Sequence, residues 1–170
     1  MTNEPRVDER PATPYVAIRR SVPMSGLAGV ADEIPHVIER AHALGLEPDG
    51  PPFFRYDVID MARELVVEAG IAVAREVAPG TALGDLEAGI LPAGRYATVV
   101  HVGRPDTLVD ATARHLRWAA DAGLAFDVRP SDDGDVWGCR LERYLTDPRV
   151  EPDADRWETE LAFRLADDSA

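Results

Sequence analysis

The feature that most constrains the fold of this chain is an order of secondary structure that occurs twice. In each half, a β-rich run is followed by an amphipathic helix that ends at a glycine, and then by two further strands. Residues 15–20 open the first half and residues 96–102 open the second, while the helices end at Gly45 and Gly123. The two halves match in pattern rather than in residue identity. This order predicts an α+β fold, in which duplicated β-α-β-β units form a twisted antiparallel sheet with two helices on one face and a central ligand cleft.

The length of 170 residues is sufficient for one domain with its own core. The first thirteen residues are polar and include two prolines, so we expect them to form a tail. The predicted division is a tail over 1–13, one ligand-binding domain over 14–166 with halves at about 14–80 and 86–166, and a second tail over 167–170.

Two local details of the predicted elements depend on proline and glycine. Apolar residues at helical spacing extend over 27–44, and Pro35 inside this pattern marks the expected first turn of the helix proper. Gly70, within the apolar strand 65–74, is a candidate for a β-bulge. The acidic run 131–135 is expected to form a hairpin or loop turn rather than a calcium loop.

The charge of the chain bounds its partners. A net charge of −13, from 31 acidic and 18 basic residues, would repel phosphate backbones, and the basic residues are scattered, so no direct contact with nucleic acid is expected. No apolar run reaches membrane-spanning length, and no signal-peptide pattern is present. A single cysteine, Cys139, permits no internal disulfide, which fits the cytoplasm. The histidines show no metal-ligand spacing, so neither a metal nor another cofactor is expected.

The last third of the chain contains two alternating runs that predict strands, and the first of them carries the candidate chemistry. Glu142 and Tyr144 share one strand face with Arg140, while Cys139 lies on the opposite face. A carboxylate beside an aromatic ring on a rigid strand is a suitable receptor for a cationic, apolar ligand. The alternative is an exposed ion pair of Glu142 with Arg140 or Arg143.

A second pair of carboxylates lies on the last strand. Glu158 and Glu160 occupy the face opposite Leu161 and Phe163. A carboxylate close to Glu142 would allow general acid–base catalysis. The interpretation that we favour is a solvated polar face.

Three sequence motifs follow one another in the second half of the chain. They are Leu-Pro-Ala-Gly-Arg-Tyr-Ala over 91–97, Leu-Arg-Trp-Ala-Ala-Asp-Ala-Gly over 116–123, and Leu-Glu-Arg-Tyr-Leu-Thr-Asp-Pro over 141–148. These motifs and their order resemble the GyrI-like small-molecule-binding family, which also supplies the effector-binding domain of AraC-type and MerR-type multidrug regulators. The resemblance implies an aromatic pocket around one buried glutamate. By position the resemblance places this glutamate at Glu142 and the aromatic wall at Tyr56, Tyr96, Trp137 and Tyr144. Phe54 is a further candidate ligand-binding residue.

The resemblance implies that the partner is a lipophilic or cationic small molecule, bound for drug sequestration or sensing, by a monomer or homodimer. No helix-turn-helix precedes the domain in this sequence, so the chain resembles a stand-alone member. Some such members are similar to hydrolases of reactive cyclopropane-containing compounds. In that alternative, Glu142 is the general base and Tyr144 or Tyr96 positions the substrate. The fold is also similar to haem-binding SOUL-type proteins, for which His101 or His115 would be the candidate ligand.

Overall fold

The computed structural model describes residues 3–168, which form a single antiparallel sheet of ten strands with helices packed against it. The strands are β1 (Arg6–Arg10), β2 (Thr13–Val22), β3 (Phe53–Ile59), β4 (Leu65–Ala72), β5 (Glu87–Leu91), β6 (Gly94–Val102), β7 (Val128–Ser131), β8 (Gly134–Trp137), β9 (Arg140–Tyr144) and β10 (Glu158–Arg164). The helices are α1 (Leu27–Ala31), α2 (Ile34–Ala43) and α3 (Leu108–Asp121). None of these helices has both the length and the apolar character needed to cross a membrane.

The strand order confirms the predicted duplication. The central strands follow each other as β6-β10-β9-β3-β4-β2, so that each half contributes three strands in mirrored order. In each half the opening strand pairs with the last strand, and the last strand pairs with the one before it. The halves meet where β3 pairs with β9. The hairpin β7–β8 is an addition to the second half and pairs with the end of β3.

The sheet curls because the strand at each of its edges is connected along the chain to a strand near the opposite edge. Strand β1 pairs with β6 and runs into β2 through Pro11 and Ala12, while β5 pairs with β2 and runs into β6 through Pro92 and Ala93. Both connections therefore cross between the halves, which gives the sheet an inner and an outer face. We call the face that carries the helices the helix face and the opposite one the inner face.

Both helical regions pack on the helix face, as predicted. Val30, Val37 and Ala41 pack with residues of β2, β3 and β4, whereas Leu108 and Ala111 of α3 pack with residues of β6 and β10. These helices have apolar side chains at spacings of three and four, which gives each a buried stripe. Burial of these stripes holds the helices near opposite ends of the sheet.

Two predictions about local structure are wrong. The expected tail over 1–13 is wrong, because Arg6–Arg10 forms an edge strand whose charged residues conceal its alternation. Residues 1–2 and 169–170, which belong to the two predicted tails, lie outside the described residues. Gly70 forms no bulge, since it pairs regularly with Ala17 and Phe53. A Cβ atom there would lie 2.9 Å from the ring of Phe53, so glycine makes room for that ring.

Pro35 lies in the first turn of α2, as the sequence predicts, and the upstream part of the pattern forms the separate short helix α1. Proline suits this position because a first-turn N–H has no partner within the helix. Residues 132 and 133 form the turn of the β7–β8 hairpin, which agrees with the hairpin interpretation of this acidic run.

The inner face buries a polar cluster between its apolar side chains. Tyr15 donates a hydrogen bond of 2.8 Å to Glu68, and Arg55 donates one of 3.0 Å to the Tyr15 hydroxyl. Asp57 lies 2.9 Å from Arg19 and 3.3 Å from Arg55. Burial, and then hydrogen bonding to Glu68, raise the pKa of Asp57 to about 8. We therefore expect the Asp57 carboxyl group to be largely protonated at neutral pH.

The raised pKa of Asp57 predicts a pH-dependent stability. A carboxyl group whose pKa is higher in the folded than in the unfolded state stabilises the fold below its unfolded pKa, and this contribution is lost as the pH rises toward the folded pKa. Relative to Asp57→Asn, the wild type should lose about 1 kcal/mol or more of unfolding free energy between about pH 5 and about pH 8. Urea unfolding at several pH values measures this. Asp133→Asn, on the exposed hairpin turn, controls for the loss of one charge. Parallel curves for the wild type and Asp57→Asn would contradict it.

Candidate functional site

The candidate site lies in the middle of the helix face, between the two helical regions. Helix α2 contacts β4 and β2, and α3 contacts β6. Strands β10, β9 and β3 therefore form the floor between them. We call this floor and its side chains the central cleft. Ligand sites are concave and lie at such junctions between structural units.

Glu142 lies at the centre of this floor. It is opposite Phe54 of β3 on one side and opposite Leu161 of β10 on the other. Directly opposed residues in a sheet point to the same side. Because Phe54 and Leu161 belong to the apolar clusters that pack under the helices, Glu142 faces the helix side.

Aromatic rings surround the carboxylate. Tyr144 donates a hydrogen bond of 3.0 Å to Glu142 Oε2. The ring of Phe54 meets the ring of Tyr144 edge to face at 5.4 Å and the ring of Tyr56 at 6.1 Å. The structure thus brings together four of the six predicted site residues, namely Glu142, Tyr144, Phe54 and Tyr56. An edge-to-face arrangement fixes ring orientations.

Protein encloses most of the Glu142 side chain. Protein atoms surround the side chain closely enough for burial to dominate its ionisation, yet Glu142 and Tyr144 both keep part of their surface accessible to solvent. Burial raises the pKa of Glu142, and hydrogen bonds from Tyr144 and Tyr56 and the charge of Arg140 lower it only in part. The carboxylate is therefore less well solvated than it would be in water.

The two tyrosines of the cleft respond to the same carboxylate. Burial, followed by the negative charge of Glu142, raises the pKa of Tyr56 and of Tyr144 well above the usual value. Both hydroxyls therefore stay protonated at neutral pH and serve as hydrogen-bond donors.

Glu142 does not form the exposed ion pair that the sequence offered as the alternative to a ligand site. Within residues 3–168, neither Arg140 nor Arg143 forms an ion pair with Glu142. Arg143 points to the inner face, where it donates a hydrogen bond of 2.8 Å to Glu160. Glu160 also pairs with Arg10 at 3.0 Å. It is 9% exposed, so the expectation of a solvated position for Glu160 is wrong, and its face separates it from Glu142.

Trp137 and Arg140 adjoin the cleft. Trp137 ends β8, is buried, and packs against Phe126 and Phe163. The guanidinium carbon of Arg140 lies 4.6 Å from the ring centroid of Trp137 and 4.5 Å from that of Phe163. Trp137 therefore contacts the site through Arg140.

Tyr96 lies apart from the other predicted site residues. It is buried on the inner face, where its hydroxyl donates a hydrogen bond of 2.5 Å to the Pro92 carbonyl. Together with Phe53 and Leu141 it lines a separate hollow of about 160 Å³. Cys139 belongs to the same inner cluster, on the face opposite Glu142, as the alternation predicts.

The two histidines considered as haem ligands are engaged elsewhere. His115 is buried, stacks on Trp118 at 5.8 Å, and its Nε2 is 3.0 Å from the Ala97 carbonyl oxygen. The Nε2 of His101 is 2.7 Å from the hydroxyl of Thr107. Both residues are near α3 rather than at the carboxylate of the cleft.

Phe163 is the site residue that sequence reasoning did not assign. The alternation of β10 placed it with the apolar face of its strand, but its proximity to Arg140 follows from the register of β10 with β9. The contact between Phe163 and the Arg140 cation could therefore be predicted only from the pairing of the two strands.

With this geometry established, comparison with known proteins identifies the family. The model of the GyrI-like small molecule binding domain matches residues 3–166. The chain therefore belongs to the GyrI-like family. A search of curated proteins found no match for it.

Solved structures share the fold. The C-terminal domain of EcmrR is similar with a TM-score of 0.72 and 21% identity, covering 97% of this chain and 98% of that domain. In an EcmrR–DNA complex, the similarity covers 97% of this chain and 58% of the EcmrR chain, with a TM-score of 0.75 and 20% identity. SAV2435 bound to tetraphenylphosphonium has a TM-score of 0.66 and 9% identity over 96% of this chain and 94% of SAV2435. A hydrolase from Listeria innocua has a TM-score of 0.60 and 16% identity, over 96% and 92%.

Glu142 and Glu160, on neighbouring strands, give opposite predictions for stability. Burial raises the pKa of Glu142, whereas hydrogen bonds from Arg10 and Arg143 outweigh burial and lower the pKa of Glu160. At neutral pH, Glu142→Gln should therefore stabilise the ligand-free protein by about 1 kcal/mol, and Glu160→Gln should destabilise it by a similar amount.

Chemical denaturation at neutral and acid pH checks both values. The two differences should shrink as the pH falls through the carboxyl pKa values, since the wild-type groups then become neutral as well. Destabilisation by Glu142→Gln at neutral pH would show that the carboxylate is a structural group of the fold.

Proposed function

We propose that this protein binds amphipathic aromatic small molecules with a cationic group, and that the central cleft is the binding site. The observation that carries the proposal is the carboxylate of Glu142, which is surrounded by protein and bordered by Phe54, Tyr56 and Tyr144. The ionised form of a carboxylate removed from water is costly unless a cation compensates it. A ligand cation would supply that compensation.

The aromatic rings would supply most of the affinity. Burying apolar ligand surface against them contributes about 25 cal/mol per Å². The faces of aromatic rings also attract organic cations, which adds to selectivity. Family membership supports a small-molecule partner, and SAV2435, which shares the fold, is bound to tetraphenylphosphonium in its structure. In this proposal the role is sequestration or sensing of such compounds.

A pair of phosphorus compounds tests the role of charge. Methyltriphenylphosphonium is a cation, and triphenylphosphine oxide is a neutral compound of similar shape. Glu142→Gln should weaken binding of the cation by about tenfold or more and change binding of the neutral compound by less than about twofold. Isothermal titration calorimetry measures both affinities.

Glu160→Gln is the matched control, because it removes the same charge from the inner face of the neighbouring strand. It should leave both affinities unchanged. Equal losses for the cation and the neutral compound in Glu142→Gln would rule out charge recognition by this residue.

A hydrolase is the second candidate, favoured by the hydrogen bond between Tyr144 and Glu142 and by a carboxylate pKa that is raised toward the range of a general base. The substrates would be reactive compounds in which a cyclopropane is conjugated to a carbonyl. Water would form a bond to a ring carbon while Glu142 accepts its proton, and the electron pair of the broken ring bond would move toward the carbonyl. The resulting enolate would then take up a proton from the Glu142 carboxyl group, which gives the hydrated product and restores the base. Tyr144 would orient the carboxylate.

Turnover separates the two candidates. In this second proposal, a catalytic amount of protein should convert an excess of a conjugated cyclopropane to its hydrated product, followed by mass spectrometry. Conversion should fall by about a hundredfold or more in Glu142→Gln, within the range attributed to a general base. Conversion of no more than one equivalent would exclude the enzyme and leave the binding function.

A further inference from the structure

Arg140 occupies an aromatic cage at one end of the central cleft. Its guanidinium carbon lies 4.5 Å from the ring centroid of Phe163, 4.6 Å from that of Trp137 and 5.9 Å from that of Tyr56. These distances are within the range of favourable cation–π contacts. The rings come from three strands, since β3, β8 and β10 supply Tyr56, Trp137 and Phe163, while Arg140 belongs to β9.

The position of this cation matters because three rings and a nearby carboxylate are the groups that recognise an organic cation. Here one of the protein's own side chains already occupies the rings. Arg140 and Glu142 are two residues apart on the same strand, and the charge of Arg140 lowers the pKa of Glu142. The cleft therefore carries one positive and one negative group rather than an isolated carboxylate.

Arg140 also has unused hydrogen-bonding capacity. Its Nε is buried and, among the described residues, has no hydrogen-bond partner. Buried polar atoms are normally hydrogen-bonded, so an orphaned donor in a cleft points to a missing acceptor. Burial also lowers the pKa of Arg140.

We propose that Arg140 determines ligand specificity, so that the cleft prefers zwitterionic aromatic molecules, whose cationic group meets Glu142 and whose anionic group accepts hydrogen bonds from Arg140. This inference rests on the proposed binding function and specifies its ligand class. A permanent cation that lacks a hydrogen-bond acceptor would be repelled by the positive charge of Arg140 and would leave the N–H donors of Arg140 without a partner. Such a repulsive element is a common source of specificity.

A matched pair of dyes tests the preference directly. Rhodamine B is a zwitterion at neutral pH, and its methyl ester is a cation with the same ring system. The wild type should bind rhodamine B about tenfold more tightly than the ester, as a charge-assisted hydrogen bond predicts. Arg140→Gln removes the positive charge and should reduce this ratio to about one or invert it. Fluorescence anisotropy measures all four affinities.

Two further variants identify the cause. Arg140→Lys keeps the charge and should retain most of the preference for rhodamine B, which also guards against misfolding of Arg140→Gln. Arg143→Gln removes an arginine from the inner face of the same strand and should leave the ratio unchanged. Thermal unfolding shows whether each variant is folded. A ratio that is the same in the wild type and Arg140→Gln would overturn the inference, as would tighter binding of the ester or no binding of either dye by the wild type.

The same dyes separate this inference from the proposed function. If Glu142→Gln weakens the ester while Arg140→Gln leaves the ratio unchanged, the binding function stands and the role of Arg140 falls. If Glu142→Gln changes neither dye, the binding function itself fails.

Discussion

The pairing of β3 with β9 is the interaction on which the rest of the site depends. It joins the two halves of the sheet and places Phe54 directly opposite Glu142. Side chains alternate between faces with a period of two, so a shift of this register by one residue would turn Glu142 toward the inner face. Neither half alone contains the site, because the carboxylate belongs to one and two of its rings to the other.

The two glutamates on opposite faces of the sheet are compensated to different degrees. On the inner face, Glu160 is held by Arg10 and Arg143, whose hydrogen bonds keep its pKa below the usual value. Buried charges in such clusters compensate one another within the fold. On the helix face, Glu142 receives hydrogen bonds from tyrosines but keeps a raised pKa. The folded chain alone therefore leaves the carboxylate of the cleft only partly compensated.

Patterns within single strands and helices allowed a good part of this arrangement to be predicted. Alternation placed Glu142 and Tyr144 on one face and Cys139 on the other, and helical spacing identified the stripes that pack on the sheet. The first strand was missed because four of its five residues are charged and lie on both of its faces, as on many edge strands. Tyr96 was grouped with the cleft because alternation says which residues of one strand share a face, but not which faces of two strands coincide. That information resides in the pairing between strands, which single-strand periodicity does not contain.

The same gap explains why Arg140 emerges only from the structure. In sequence it is a neighbour of Glu142 and suggests an ion pair, whereas in the sheet its guanidinium lies on rings from β8 and β10. Stacking holds the cation in place without neutralising Glu142, so both charges remain available to a third partner. A receptor built for a simple cation would gain nothing from an arginine within its aromatic cage. A receptor for a molecule with both charges gains from it twice, through the attraction of the anionic group and the rejection of ligands that lack one.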